Sequence, residues 1–466
     1  MASTGQNEHE SYRLIVLARH GAEVLLVRNG ERFMLPSVEI PRWQRIAENL
    51  TAAFKTDWGA EVVCLFELST ESADNLGITR YHAAEHLHTC SNPKMRTRWI
   101  PVSVLYQGSF TEECDYAAIK QVVGVCKGDI EGESAGPFAR LGWFRELREW
   151  IESTVEPIGF HLNGEFRQLN ASPAFSLIRF ETNGPALWFK AVGEPNQREF
   201  GITCLLVKLF PEYLPRILGR QLDWNGWLTR EVPGRLLSDV QELVLWEQAA
   251  SSLAKLQIRS VDRGSQILGA GARDLGSTAL AKLIQPFISV VAELMECQTK
   301  VPPPVLDRKD LSALADSLQS AVDATKAIGI PETIGHLDLN PGNIIASENR
   351  CAFLDWAETY VGNHLFSLDY LVEHAKRAVG PDSAVVTKMT AAYCAQWDAV
   401  LSPPAVADAL ALAPLLAVFA YAAGNDTWAQ TDKLQEPTTA GYLRSLARRM
   451  HREASEFANR RPACPA

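Results

Sequence analysis

Several things are scarce in this sequence, and each shortage removes a class of protein. Nine cysteines are scattered over 466 residues, and none forms a CxxC pair. That argues against a zinc ribbon or a disulfide framework. Free thiols packed as small hydrophobes in a reducing compartment are expected. No uninterrupted apolar run reaches the ~20 residues that cross a bilayer. The longest, Ala409 to Ala423, contains Pro414 and is expected to be a buried helix of a soluble protein. The opening residues, MASTGQNEHE, carry no apolar stretch of the kind an export signal uses, so a cytoplasmic location is expected. Bases are outnumbered 45 to 55, for a net charge of −10. A nucleic-acid surface usually needs the opposite excess, so neither nucleic acid nor membrane is an expected partner. No fixed-period repeat or low-complexity tract appears.

What remains is an ordinary globular composition, 47% hydrophobic and 21% charged. At ~150 residues per domain the length suggests about three units. The patterning divides the chain at 1–153, 154–235 and 236–466, an α+β class overall. In the first segment, RLIVLA (Arg13–Ala18) and EVLLVR (Glu23–Arg28) are β-branched runs around His20-Gly21-Ala22, a hairpin signal. Trp43 to Trp58 has helical periodicity and is followed by Gly59. Glu61–Ser69 and Arg98–Tyr106 read as strands, Leu147–Ser153 as a helix and Lys127–Pro137 as a loop. The second segment opens with the strand-like runs FRQL, FSLIRFET and ALWFKAV, then an amphipathic helix from Asn196 to Phe210. The third is helical by period, interrupted once, between Ile334 and Trp356.

That interruption carries the chemistry. It reads IGHLDLNPGNIIASENRCAFLDWAE: a polar loop, a short apolar strand, a turn and a second strand ending in Asp355. A hairpin after Asn343 would bring Asp355 back to face the loop. Asn343 and Asp355 could then hold Mg²⁺ through oxygen, as that ion prefers. Asp338 would remain to accept a proton from an attacking hydroxyl. Phosphoryl transfer needs this division of labour, because positioning and charge neutralisation outweigh covalent chemistry there.

HLDLNPGN followed by FLDW resembles the signature of aminoglycoside phosphotransferase and choline kinase-like enzymes, often written HGDLHPGN…IDW. The resemblance implies a bilobal protein-kinase-like fold, with a β-rich lobe over 154–235 and a helical lobe over 236–466. It implies Asp338 as catalytic base, Asn343 and Asp355 as metal ligands, His336 as a structural member of the loop, and ATP with Mg²⁺ as cofactors. Leu337 stands where the family usually has Gly, and Asn340 where it often has His. Downstream, YVGNHLFSLDYL resembles the family's GVGDPLYDLA, with His364 for Pro and Ser367 for Asp; Asp369 lies two residues later.

The upstream segment offers the remaining parts. Lys190 is the one charge in ALWFKAV. Alone it would read as an edge-strand lysine in water. Beside the downstream signature it resembles the kinase lysine that meets the α- and β-phosphates, with Glu199 as its partner. Glu199 also fits a first-turn acid favoured by the helix dipole. Asn170, Ala171, Ser172 and Pro173 stand where the phosphate-covering loop is expected, without the GxGxxG form; Ser172 and nearby amides would face phosphate. LTREVPG resembles the hinge, so the backbone of Arg230, Glu231 and Val232 would meet the adenine edge, with Pro233-Gly234 at the lobe boundary.

Residues 1–153 resemble a degenerate Nudix domain. Val38, Gln44, Ala52, Ala53 and Thr56 replace the Gly, Glu, Arg, Glu and Glu of the Nudix box, and only Asp57 is acidic. A metal site is therefore not expected there. HAAEHLH places His82 and His86 four apart, with His88 beyond; surface histidines are expected rather than a metal cluster. Two functions compete: an ATP-dependent kinase acting on a small-molecule hydroxyl, and a nucleotide-binding pseudokinase or regulatory module without turnover. Glu358, Asp369 and Glu373 suit an amine-bearing or sugar-like acceptor, or merely a solvated face. Acceptor identity is set by pocket shape and carries no motif.

Overall fold

A computed structural model describes residues 9–70, 79–87, 97–128, 136–381 and 383–460. The chain forms two compact units: Met1–Phe200 with Arg216–Glu231, and Gly201–Pro215 with Val232–Ala466. Most of the second expected segment thus shares a unit with the first, while its residues 201–215 and 232–235 fall in the other, and a shared core explains the union.

That unit holds two sheets. In the first, His9–Ala18 pairs antiparallel with Glu23–Asn29 and parallel with Thr79–His86, which in turn pairs with Val62–Thr70. The expected hairpin is present, with Leu17 opposite Val24. The helix read over 43–58 runs Ile46–Ala53 and widens to a π-turn over Phe54–Trp58. Gly59 ends it at φ 65°, the left-handed position where glycine costs least. The strand expected over 98–106 stops at Pro101, because Val102–Val104 turns into a 3₁₀ helix. Residues 129–135 of the expected loop lie outside the described residues.

The second sheet is fully antiparallel, in the order Ile217–Gln221, Gly226–Arg230, Leu187–Ala191, Ser176–Thr182, Leu162–Ala171. Strand alternation turns Ile178, Phe180, Leu187, Phe189 and Ala191 inward. The helix Trp143–Val155 meets them with Trp143, Phe144, Leu147, Ile151 and Val155, all at most 1% exposed. Phe138 packs edge-on to both Trp143 and Phe189, at ring separations of 5.0 and 6.5 Å. Burying a side chain of this size contributes roughly 1.5–3 kcal/mol, so the helix joins both sheets into one core. The Leu187–Ala191 strand is central, so Lys190 is not on an edge.

The histidine reading needs correction. His82 lies on a strand, not a helix, and is 2% exposed, so it is a core residue. Burial holds its imidazole below the usual histidine range. His88 lies outside the described residues. Among the described residues no group of three or more His, Cys, Asp or Glu is placed to hold a metal.

The second unit is mainly helical. Leu243–Arg259 packs on Ala384–Trp397, and Ser277–Glu296 on Arg308–Ile328. The apolar run lies inside Pro403–Gly424, which has the length and hydropathy of a membrane span. It packs instead against Leu365–Val379 and Pro437–Arg460, with Leu415, Leu416, Phe419 and Ala420 buried. Two small sheets interrupt the helices: Arg235–Leu236, Ile344–Ser347 and Arg350–Phe353 form one; Arg273–Leu275, Thr359–Asn363 and Glu332–His336 form the other.

Candidate active site

The loop leaving Glu332–His336 and the hairpin Ile344–Phe353 come together as the spacing implied. Ile344 faces Phe353, and Leu354 N–H donates to Asn343 O at 2.8 Å. Asn343 and Asp355 therefore stand at the same end of the hairpin. Asp355 takes φ 61°, ψ 61°, a strained conformation for a non-glycine residue.

Asp338 is fastened at nearly every point. Asn340 Nδ2 donates to its Oδ1 at 3.1 Å, and Tyr370 O–H donates to the same oxygen at 3.0 Å. Asn343 Nδ2 reaches its backbone oxygen at 2.9 Å and its Oδ2 only at 3.5 Å. Oδ2 is thus the less engaged oxygen. The Asn343 amide is oriented by the same bonds, which leave its Oδ1 without a partner among the described residues. One carboxylate, one amide oxygen and water suit Mg²⁺, so these residues fit that ion.

His336 is fully buried. Its Nδ1 accepts from Asp338 N–H at 3.1 Å, so Nε2 carries the proton toward Leu354 O, also 3.1 Å away. Burial holds its imidazole below the usual histidine range, against the pull of Asp355. One side chain thereby ties the loop of Asp338 to the strand end of Asp355. Gly335 is required beside it, since a Cβ there would lie 2.0 Å from the Tyr360 ring.

The structure also explains Ser367. It accepts from His336 N–H at 2.8 Å and lies 3.1 Å from Tyr360 O–H, which itself donates to Asn363 O. Asp369 does not take over that position; it lines a cavity with Leu337, Tyr370 and Glu373. Ser367→Ala is expected to leave the buried His336 N–H unsatisfied and to cost about 1–3 kcal/mol. Urea denaturation of the variant measures this, and a change within error would remove Ser367 from the loop's support.

In the first unit, Lys190 Nζ donates to Glu199 Oε1 at 2.6 Å; the two side chains are 15% and 2% exposed. Glu199 opens the helix Arg198–Leu209, so the dipole and ion-pair readings hold together. Lys190 also lies over the rings of Phe175 and Trp227, 6.0 and 5.8 Å from their centroids. Ser172 closes its own turn: its N–H donates to Phe175 O and its Oγ accepts from Phe175 N–H, both at 3.0 Å. Pro173 O accepts from Phe138 N–H, so the turn is also held from the first segment. In the expected hinge, Arg230 N–H donates to Arg216 O and Glu231 N–H to Ala186 O. The Glu231 carboxylate pairs with Arg179 at 2.7 Å and accepts from Trp188. Of the three amides, only that of Val232 has no partner among the described residues.

Sequence reasoning missed Tyr370. It lies 32 residues from Asp338, on the helix Leu365–Val379, and no spacing marks it.

Residues 211–400 match the model of the family described as "Phosphotransferase enzyme family". This segment is similar to the phosphotransferase enzyme family. The match brackets the hinge, the Asp338 loop, the hairpin and Ser367. No curated protein matches the chain. Among solved structures, a choline/ethanolamine kinase family protein from Mesorhizobium loti is 13% identical over 67% of this chain and 98% of its own, at a TM-score of 0.42. Choline kinase LicA from Streptococcus pneumoniae is 11% identical over 67% of this chain and 99% of its own, also at 0.42. APH(2")-IIIa, solved with GDP and kanamycin, is 16% identical over 68% and 99%, at 0.41. The matched segment excludes residues 1–153, whose Nudix-like reading rests on the sequence alone.

Proposed function

We propose that this phosphotransferase moves the γ-phosphoryl of ATP to a hydroxyl of a small molecule, with Asp338 as general base. The observation that carries the reading is the fastening of Asp338. Tyr370 and Asn340 hold Oδ1, which leaves Oδ2 to take the acceptor proton. A base held in one geometry beside a cavity is what an in-line displacement requires.

Asn343 and Asp355 would hold Mg²⁺, which when bound neutralises phosphate charge. Lys190, kept in place by Glu199, would meet the phosphates. Ser172 and the amides of its turn would lie along them, the serine oxygen being already committed to the turn. At the base edge, the Val232 amide supplies the donor, since those of Arg230 and Glu231 are engaged within the fold. A pseudokinase would bind nucleotide without needing a fastened Asp338, so the geometry favours turnover.

Comparison of wild type with Asp355→Ala tests the metal assignment. Mg²⁺ is expected to tighten nucleotide binding by the wild type, and that gain should vanish in the variant while metal-free affinity stays. Equal losses with and without Mg²⁺ would make Asp355 a structural residue. Turnover itself is tested by following ADP release with and without a panel of small hydroxyl compounds.

A further inference from the structure

The sequence leaves an amine-bearing and a sugar-like acceptor open, and the cavity beside Asp338 separates them. Which of them this cavity takes rests on the phosphotransferase reading above. Tyr370, which holds Asp338, lines a cavity of about 130 Å³. A cavity near 150 Å³ accommodates one six-membered ring, so this one takes a piece of about that size.

Its charges balance. Glu373 pairs with Lys376 at 2.8 Å and with Arg449 at 3.2 Å. Glu358, the other acid expected to face an acceptor, is held by Arg273. That leaves Asp369 and Arg377, of opposite sign, both lining the cavity. Burial and the neighbouring Glu373 push the Asp369 carboxyl up to about 6. His374 is held below the usual histidine range by burial and by Arg377. The tyrosine faces alone would also suit a cation, but the two acids that line the wall, Asp369 and Glu373, are matched in number by Arg377 and Arg449, and the Asp338 carboxylate that Tyr370 holds is kept for the acceptor's proton.

A second cavity, of about 280 Å³, adjoins the first. Tyr421, Tyr442 and Leu446 line both, and Tyr442 O–H donates to Tyr421 Oη at 3.0 Å, so the tyrosine pair and Leu446 stand between the two. Tyr421 also stacks on Tyr370 at 5.8 Å, which links the tyrosine pair to the base. Among the described residues, none that is charged lines the second cavity. Its polar groups are neutral: Asn425, Thr427, Thr438 and Thr439. Asn425 Oδ1 accepts from Thr427 N–H at 3.1 Å and from Thr427 Oγ1 at 2.5 Å, and Thr439 Oγ1 donates to Glu436 at 2.9 Å, which leaves the Asn425 amide and the Thr438 hydroxyl as the uncommitted groups among the described residues. Neutral donors and acceptors in this density recognise hydroxyls; polycations are recognised by carboxylates.

We propose that the acceptor is a neutral polyhydroxylated molecule, of the sugar or polyol class, lying across both cavities. One hydroxyl reaches Asp338 Oδ2. Others meet Asp369 on the near side of the tyrosine pair and Asn425 and Thr438 on the far side.

The test offers the full-length protein ATP, Mg²⁺ and matched acceptors: neutral hexoses, pentoses and polyols, their amino-sugar counterparts, aminoglycosides and hydroxy-amino acids. At least one neutral polyol is expected to exceed its amino counterpart by about tenfold or more in kcat/KM, a 1.4 kcal/mol preference. Thr438→Val, which keeps the side-chain shape, should raise the KM of that polyol several-fold and leave the KM of ATP unchanged. Preference for an amino sugar, aminoglycoside or hydroxy-amino acid overturns the proposal, as does the absence of any polyol turnover. An unchanged polyol KM in Thr438→Val removes the second cavity from the site. ATP hydrolysis without acceptor distinguishes the two levels of failure. If it depends on Asp338, only the acceptor class is wrong; if it does not, the phosphotransferase reading falls first.

Discussion

Asp338→Ala is expected to lower phosphoryl transfer by about a hundred- to ten-thousand-fold, the range a positioned general base contributes. The carboxylate has little else to do. It is half-buried, makes no ion pair among the described residues, and its bonds to Asn340 and Tyr370 are between side chains. The variant should therefore unfold at nearly the wild-type denaturant midpoint and still bind nucleotide. Asp338→Asn sharpens the point. An amide oxygen still accepts from Tyr370 and Asn340 but cannot take a proton, so this variant should keep the loop and lose the rate. If both variants turn over at the wild-type rate, Asp338 is not the base. If Asp338→Ala also loses nucleotide affinity, the residue positions substrate instead.

Legibility in the sequence followed the locality of each contact. Asp338, Asn343 and Asp355 lie within 18 residues of one another, on a loop and a hairpin whose register the apolar pattern determines, and the structure brings them together. His336, read as a structural member of the loop, ties the two ends by bonds to Asp338 N–H and Leu354 O. Contacts across long separations were not legible. Tyr370 reaches Asp338 from another helix, and Ser367 holds His336 across 31 residues. A family pattern with aspartate at that position hides a serine that accepts the same kind of N–H. The engagement of the Arg230 and Glu231 N–H groups was not legible for a related reason: their partners, Arg216 O and Ala186 O, stand just before neighbouring strands. The strand Thr79–His86 was missed because its histidines look polar, yet parallel pairing with His9–Ala18 buries His82. The division of the first two segments was blurred by packing, since the helix Trp143–Val155 ends one and fills the core of the other.

Lys190 and Glu199 allow structural and functional roles to be separated in one experiment. Glu199 is 1% exposed and sits 2.6 Å from the Lys190 ammonium. Removing one member of a buried ion pair leaves the other charge in a poor environment and typically costs 3–5 kcal/mol. Lys190→Met is expected near the lower end of that range, because the Lys190 side chain keeps 15% exposure to water. The double variant Lys190→Met, Glu199→Leu removes both charges and keeps apolar volume between Phe175 and Trp227. It should recover most of the lost stability, since replacing a buried pair by apolar residues is often neutral or stabilising. Activity should not recover with it. If Lys190 meets phosphate, both variants lack a preorganised positive donor, and each should fall about a hundred- to a thousand-fold in kcat, as loss of such a donor does elsewhere. Chemical denaturation and the ATP-dependent rate, measured on the same three proteins, give the two readouts. Parallel recovery of stability and rate in the double variant would make the pair a packing device and leave the phosphates to other groups; recovery of stability alone assigns Lys190 to the nucleotide.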